Sequence, residues 1–221
     1  MLIILLISFI LVLLTNIMLI KLFPIYMGDK ILFLRRSFYA VPYLVVFIIY
    51  DVPKITISSN NIVYIILATA ISMVLISIQW KEFAWVFQKD LLQLFPCING
   101  KQVGIEIYTL ILAVIVQELY YKLFVLQVFC SLTSENVAIL STSILFVVDH
   151  IISAGAKKRF KYKDFILQFI MSLSSCIIFL KSGNFYIGAL IHFIYNVFVV
   201  VFNLVRLILQ SHKNKETKNS L

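Results

Sequence analysis

Three pairs of residues could carry chemistry, because each joins two polar or aromatic side chains four positions apart within an apolar stretch. They are Glu118 and Lys122, Phe146 and His150, and His192 and Asn196. Residues four apart lie on the same face of an α-helix. An ionisable side chain inside a membrane-spanning segment is costly and usually faces a cavity or a partner. Three such pairs on separate segments indicate a functional site built between helices.

Each pair taken alone has a simpler structural explanation. Glu118 and Lys122 could be an intrahelical ion pair that only neutralises itself. His192 and Asn196 could be hydrogen-bonding residues that hold helices together. His150 lies near a basic loop and could reach lipid headgroups. The three pairs together favour the functional interpretation.

The elements that must position these residues are membrane-spanning helices. The 221-residue chain is 62% hydrophobic and only 13% charged, whereas soluble domains are about 45–50% apolar and about 25% charged. This composition excludes a soluble enzyme, a disordered protein and a disulfide-stapled secreted domain. Its three cysteines, at positions 97, 130 and 176, are scattered without metal-ligand spacing. The sequence therefore predicts an all-α, polytopic transmembrane helical bundle.

Seven apolar segments could span a bilayer, which requires about 20 apolar residues per helix. Their cores are residues 2–20, 38–50, 62–80, 104–130, 137–152, 165–180 and 187–210. The second is short and contains Pro42, and an extension toward Leu32 would complete it. The first has no basic leader and no small-residue cleavage site, so we expect a retained span rather than a signal peptide.

The loop charges predict the orientation and the surroundings of the chain. The net charge is +9, and 16 of the 19 lysines and arginines fall on one side of the predicted spans. The positive-inside rule then places the N-terminus outside and the C-terminus in the cytoplasm of a cell membrane. Basic residues that flank apolar spans match lipid headgroups, so we expect a bilayer and no nucleic acid as a partner. Glu106 and Asp149 are expected to lie near the inner headgroups and to pair with nearby lysines.

We expect one integrated membrane domain in three parts. Residues 1–103 would hold the N-terminal helices, with an interfacial helix within 81–101. Residues 104–210 would form the core that carries the three pairs, and residues 211–221 a polar cytoplasmic tail.

The three pairs also resemble the motifs of a known family. The run Gln117–Lys122 resembles the E-E-x-x-x-R motif of the CPBP family, also called Abi or CAAX-protease and bacteriocin-processing proteins. Phe146 to His150 is similar to its F-x-x-x-H motif, and His192 to Asn196 to its H-x-x-x-N motif. The resemblance covers about residues 104–202. The family comprises intramembrane peptidases and bacteriocin-immunity proteins.

The resemblance implies a role for each matched position. In the family, the first Glu and the F-x-x-x-H histidine activate a water, the last His and Asn stabilise the oxyanion, and the second Glu and the Arg brace the helix. It thus implies catalytic and supporting residues for this chain. The catalytic set is Glu118, His150, His192 and Asn196, and the supporting set is Gln117, Lys122 and Phe146. The resemblance leaves the cofactor open between a divalent metal such as zinc and none, with His150 and His192 as candidate ligands.

Two positions depart from the family pattern. Gln117 stands where the water-activating Glu is expected, and an amide cannot accept the proton. Loss of a general base costs about 10²–10⁴ in rate. Glu118 as a substitute base, or His150 acting alone, are the conceivable compensations. Lys122 replaces the Arg and keeps the charge but not the planar fork.

These observations favour a CAAX-type intramembrane endopeptidase acting on a membrane-associated peptide or prepeptide, in bacteriocin or peptide processing. The alternative is a catalytically impaired member that serves as a bacteriocin-immunity or membrane-partner binding protein. A proton-coupled carrier is a third hypothesis, but the sequence shows no inverted repeats. The Ile-, Lys- and Asn-rich composition favours a bacterial origin.

Overall fold

The fold is entirely helical in the part of the chain that the computed structural model describes, residues 1–22, 28–51, 61–84, 98–155 and 161–219. A π-helical segment, Leu119–Val125, joins α4 to α5, and a 3-10 turn, Val46–Ile48, follows α2. The helices in chain order are α1 (Leu2–Leu22), α2 (Asp29–Val45), α3 (Ile62–Ala84), α4 (Gly100–Glu118), α5 (Leu126–Leu132), α6 (Glu135–Gly155), α7 (Tyr162–Ser182) and α8 (Phe185–Asn219).

Seven helical runs among these residues are long and apolar enough to cross a membrane. The longest, Gly100–Leu132, combines α4, the π-helical segment and α5. The expected all-helical, seven-span architecture is confirmed, and the chain is a multi-pass membrane protein.

The second span is where the sequence expectation was wrong. Its helix begins at Asp29 and ends at Val45, with the 3-10 turn extending to Ile48, whereas the expected core was 38–50. The first turns contain Lys30 and two arginines, which masked the helix in a search for apolar runs. Pro42 lies inside the helix and does not end it. Most of the expected interfacial helix, residues 85–97, lies outside the described residues.

The bundle has apolar side chains outside and polar ones inside, as a bilayer requires. Ile3 and Ile7 on α1 are 72% and 63% exposed, while Asn16 on the same helix is buried. The buried polar set also includes Arg35, Gln79, Gln117, Glu118, Lys122, Asp149 and His192. The central run Gly100–Leu132 is the most deeply buried of the seven, and α4 packs against α2 and α8.

A tight turn sets α7 and α8 against each other. Gly183 caps α7 with φ 63°, a left-handed conformation that glycine adopts without strain. Gly188 then lies where an added Cβ would meet the Cβ of Phe179 and the carbonyl oxygen of Ser175 at 3.2 Å. The missing side chain therefore allows the two helices to approach closely, next to residues that contact Glu118.

Candidate active site

Glu118 is the centre of a buried group of four side chains, which we call the Glu118 cluster (Glu118, Lys122, Ser175 and His192). The carboxylate oxygen Oε1 lies 2.9 Å from Nδ1 of His192. The other oxygen, Oε2, lies 3.1 Å from the hydroxyl of Ser175 and 3.8 Å from Nζ of Lys122. Glu118 is 1% exposed and Lys122 is not exposed at all. The cluster joins α4, the π-helical segment, α7 and α8.

Lys122 has two further contacts, both on α7. Its Nζ donates to the carbonyl oxygen of Ser172 at 3.5 Å and to Sγ of Cys176 at 3.3 Å. With the Glu118 carboxylate, these contacts occupy the three donors of the ammonium. The predicted Glu118–Lys122 ion pair is present, although Lys122 lies in a π-helical rather than an α-helical turn.

His150 is oriented by its own helix. Its Nδ1 lies 2.9 Å from the carbonyl oxygen of Phe146. A carbonyl can only accept, so Nδ1 carries a proton and the neutral ring presents Nε2 as the acceptor. Asp149 does not orient this ring, as expected from the divergence of successive helix residues.

Phe146 connects the two histidines. Its ring centroid lies 4.3 Å from that of His150 and 5.6 Å from that of His192, with the latter pair edge to face. The phenyl ring is fully buried. The structure thus brings together the three helices that carry the motifs, with Phe146 packed between the imidazoles.

Asn196 lies one turn after His192, outside the Glu118 cluster. It lines a small cavity between α4 and α8 rather than a hydrogen-bonded core. The predicted Asn196 position is therefore adjacent to the histidines along the helix axis.

The side chain of Gln117 contacts α2 and not the Glu118 cluster. Its Nε2 donates to the hydroxyl of Tyr39 on α2 at 2.7 Å. That hydroxyl lies 2.9 Å from the hydroxyl of Tyr43. Gln117 and Glu118 are neighbours in sequence, and because successive helix residues point about 100° apart they join different hydrogen-bonded groups.

Asp149, which was expected near the inner headgroups beside lysines, is buried inside the helical bundle. It is 1% exposed and accepts hydrogen bonds from Tyr43 at 2.6 Å, Tyr121 at 3.1 Å and Asn16 at 3.1 Å. We call Asn16, Tyr43, Tyr121 and Asp149 the Asp149 cluster. It joins α1, α2, the π-helical segment and α6.

The histidines do not fit a metal site with three protein ligands. Nδ1 of His150 is bound to a carbonyl oxygen and Nδ1 of His192 to Glu118, which leaves one ring nitrogen on each. The described residues contain no group of three or more His, Cys, Asp or Glu side chains placed to hold a metal. Catalytic zinc sites use three protein ligands, so no step below is routed through a metal.

The sequence analysis missed the contribution of α7. Ser172, Ser175 and Cys176 contact Lys122 or Glu118 through a carbonyl, a hydroxyl and a thiol respectively. A signal was available, since these three small residues are spaced at i, i+3 and i+4 and share one helix face. It was weak because Ser and Cys are common where transmembrane helices pack closely.

One comparison with known proteins bears on this site. Residues 100–198 match the family model described as type II CAAX prenyl endopeptidase Rce1-like. The matched segment contains both histidines, Asn196 and the whole Glu118 cluster. It confirms the resemblance drawn from the three motifs. No curated protein and no solved structure matches the chain.

Proposed function

We propose that the chain is an intramembrane endopeptidase, because residues 100–198 match the family model described as type II CAAX prenyl endopeptidase Rce1-like. Its substrate is a membrane-associated peptide or prepeptide, cleaved near the inner face of a bacterial cell membrane. The observation that supports this most is the convergence of His150, Phe146 and His192, with Glu118 bound to His192. The loop charges support a cytoplasmic C-terminus and a site that faces the inner leaflet.

His150 is the group that takes a proton from the attacking water in this proposal. Its Nδ1–H is held by the Phe146 carbonyl, so Nε2 is the free acceptor. The ring is half-buried and packs on Phe146, which restricts its orientation. Gln117 contributes no base, since its amide cannot accept the proton.

Glu118 is a positioning residue rather than the base. Both of its oxygens are engaged, one by His192 and the other by Ser175 and Lys122. Rotating it toward a water would leave Lys122 without its counter-charge in a buried site, which is costly. The contacts therefore favour His150 acting without a second carboxylate.

His192 and Asn196 stabilise the oxyanion of the tetrahedral intermediate. Nδ1–H of His192 is directed at Glu118, so donation to an oxyanion falls to Nε2 and requires both ring nitrogens to be protonated. The Glu118 cluster then carries two positive charges and one negative charge. An oxyanion that forms beside it brings the group to neutrality, so the attraction is stronger in the transition state than in the ground state.

The test compares the peptides present in membranes and medium of cells that carry wild-type protein, His150→Ala or His212→Ala. His212 is the remaining histidine and lies outside the predicted spans, so it is the matched control. We expect specific cleavage products to disappear with His150→Ala and to persist with His212→Ala, at equal protein levels. Unchanged products with His150→Ala would exclude this assignment.

A second candidate function rests on the Gln117–Tyr39 hydrogen bond, which keeps the expected water-activating position away from the Glu118 cluster. In this alternative the chain is an impaired relative that binds a bacteriocin or another membrane partner and protects the producing cell. Protection that persists in a His150→Ala, His192→Ala double variant would favour it over proteolysis.

The variant Gln117→Glu separates the two functions. If the missing carboxylate limits the chemistry, it should raise the cleavage rate by about 10²–10⁴, the usual contribution of a general base. Initial rates of product formation measure this, with Gln168→Glu on α7 as a buried Gln-to-Glu control. No gain with Gln117→Glu would show that the missing base is not what limits this chain.

A further inference from the structure

A cavity of about 150 Å³ lies between α4 and α8, next to the histidines. Its walls are Glu106, Thr109, Leu110, Ala113, Asn196 and Val200, and we call it the α4–α8 cavity. The two helices run antiparallel here, because Glu118 contacts His192 while earlier α4 residues face later α8 residues. Asn196 is one turn from His192 and Ala113 one turn from Gln117. The cavity therefore begins one helical turn, about 5 Å, from His192 along α8.

Glu106 is the one carboxylate among the described residues that line this cavity. It is half-buried within the span Gly100–Leu132 and makes no hydrogen bond or ion pair with any residue in the part of the chain described, contrary to the expected pairing with lysines. Thr109 cannot serve it, because its hydroxyl donates back to the carbonyl of Ile105 at 2.7 Å. An ionisable group within a span that faces a cavity is typical of a binding function.

Asn196 is the polar residue on the opposite wall of the cavity. It is half-buried and lines the cavity, and its amide has no hydrogen-bond partner among the described residues. The cavity thus presents one negative and one neutral polar group between the apolar walls of Leu110, Ala113 and Val200. This arrangement suits a ligand with an apolar stem and a cationic end.

The volume sets the size of that ligand. At about 30 Å³ for each water-sized group, the cavity holds about five heavy atoms. A lysine side chain has five beyond Cα, four carbons and one ammonium nitrogen.

We propose that the α4–α8 cavity is a substrate subsite and that Glu106 makes it selective for a cationic amine of the peptide next to the scissile bond. The amine is a lysine side chain or a free N-terminus. This inference rests on the proposed function, since Asn196 contributes both to the subsite and to the oxyanion contact. Glu106 is a specificity-determining residue, not a member of the reacting groups.

The test measures binding without cleavage, using His150→Ala protein in nanodiscs of phosphatidylcholine and phosphatidylglycerol. The probes are fluorescein-labelled apolar peptides, N-acetylated and identical except for Lys, Gln or Glu at one central position. A further Gln peptide with a free N-terminus, labelled at its other end, distinguishes the two sources of the amine. Each is titrated against Glu106→Gln, Glu106→Lys and the control Glu135→Gln. Glu135 is a carboxylate of α6 that pairs with exposed Lys181, so its loss changes net charge equally.

We expect one of the two amine-bearing peptides to bind about 10- to 100-fold more tightly than acetylated Gln peptide, the range of a charge-assisted hydrogen bond. Glu106→Gln should abolish the difference, Glu106→Lys should transfer the preference to the Glu peptide, and Glu135→Gln should leave it intact. Equal binding of all peptides, no binding of any, or a lysine preference that survives Glu106→Gln would overturn the proposal.

The two proposals fail separately. A Glu106-dependent preference in a chain that cleaves nothing would leave the subsite standing and remove the endopeptidase. Cleavage that depends on His150 but ignores the charge of the neighbouring residue would do the reverse.

Discussion

Two carboxylates that are buried in the described part of the chain, Glu118 and Asp149, have contacts of different kinds. Glu118 contacts a lysine and a histidine, both able to carry positive charge, and its four-residue cluster lies entirely within residues 100–198. Asp149 accepts hydrogen bonds from two phenols and an amide, which are neutral donors, and two of these three donors come from α1 and α2.

This difference assigns the Glu118 cluster to the proposed chemistry and the Asp149 cluster to holding the helices together. In the Glu118 cluster, Glu118, Lys122 and His192 are all ionisable. With His192 protonated, the net positive charge of the cluster would be balanced by an oxyanion, as the proposed active site requires. In the Asp149 cluster, two of the neutral donors to the carboxylate, Asn16 and Tyr43, come from helices that precede residues 100–198. This cluster therefore acts as the polar junction that joins the N-terminal helices to α6, on which the neighbouring His150 lies.

The largest effect should follow from breaking the Glu118 cluster. Lys122→Met leaves the Glu118 carboxylate buried without its cation, and the loss of one partner of a buried ion pair costs about 3–5 kcal/mol of unfolding free energy. Equilibrium unfolding of the detergent-solubilised protein measures this. The control is Lys181→Met, because the exposed Lys181–Glu135 pair should contribute less than about 1 kcal/mol.

Adding Glu118→Gln to Lys122→Met should recover part of the lost stability, since the stranded charge is then removed. If the double variant loses the sum of the unfolding free energies lost by Lys122→Met and by Glu118→Gln alone, the two residues are not coupled and the description of the cluster is wrong.

A smaller effect is expected in the Asp149 cluster. Tyr43→Phe removes the 2.6 Å hydrogen bond to the carboxylate together with the hydroxyl contacts to Asn16 and Tyr39, and should cost at least about 1.5 kcal/mol, near the upper end for one hydrogen bond in a membrane protein. The matched variant is Tyr120→Phe, another fully buried tyrosine, whose hydroxyl contacts only the neutral Ser8 at 2.9 Å. It should cost about 0.6 kcal/mol. Equal losses in thermal unfolding would mean that the charge of Asp149 adds nothing.

The smallest effect on stability should come from the hydrogen bond that connects Gln117, through Tyr39, to the Asp149 cluster. Tyr39→Phe removes the acceptor of the Gln117 amide and should cost about 0.6 kcal/mol, the average for such bonds. A loss as large as that of Tyr43→Phe would make Tyr39 a full member of the Asp149 cluster. Unfolding of both variants under one condition decides this.

The sequence alone was sufficient to predict the membrane spans and the contacts between residues of the same helical run. Hydropathy found all seven spans, and helical spacing predicted the Glu118–Lys122 pair. Both depend on residues close in sequence. The second span was misplaced because Arg35 and Arg36 lie within its helix, where Arg35 is buried rather than exposed.

The sequence was insufficient for contacts that depend on how helices turn toward one another. Asp149 lies 133 residues from Asn16 and 106 from Tyr43, and nothing local marks these as partners. Gln117 and Glu118 differ by one position, so only the rotation of α4 decides which of them meets His192. That rotation is determined by packing against α2 and α8, which a single sequence does not display.

The π-helical segment gives the longest span an unusual sensitivity to length. A π-helix bonds each residue to the fifth one along, where an α-helix uses the fourth, so Leu119–Val125 accommodates a surplus residue. Deleting one residue there would let the backbone revert to the ordinary ladder, and the helix on either side would keep nearly its present orientation because the wider turns had absorbed the extra residue. The side chains within the segment would turn to other faces, so a lineage that lost this single codon would keep its hydropathy profile and its later helices but lose the present contacts of Tyr121 and Lys122.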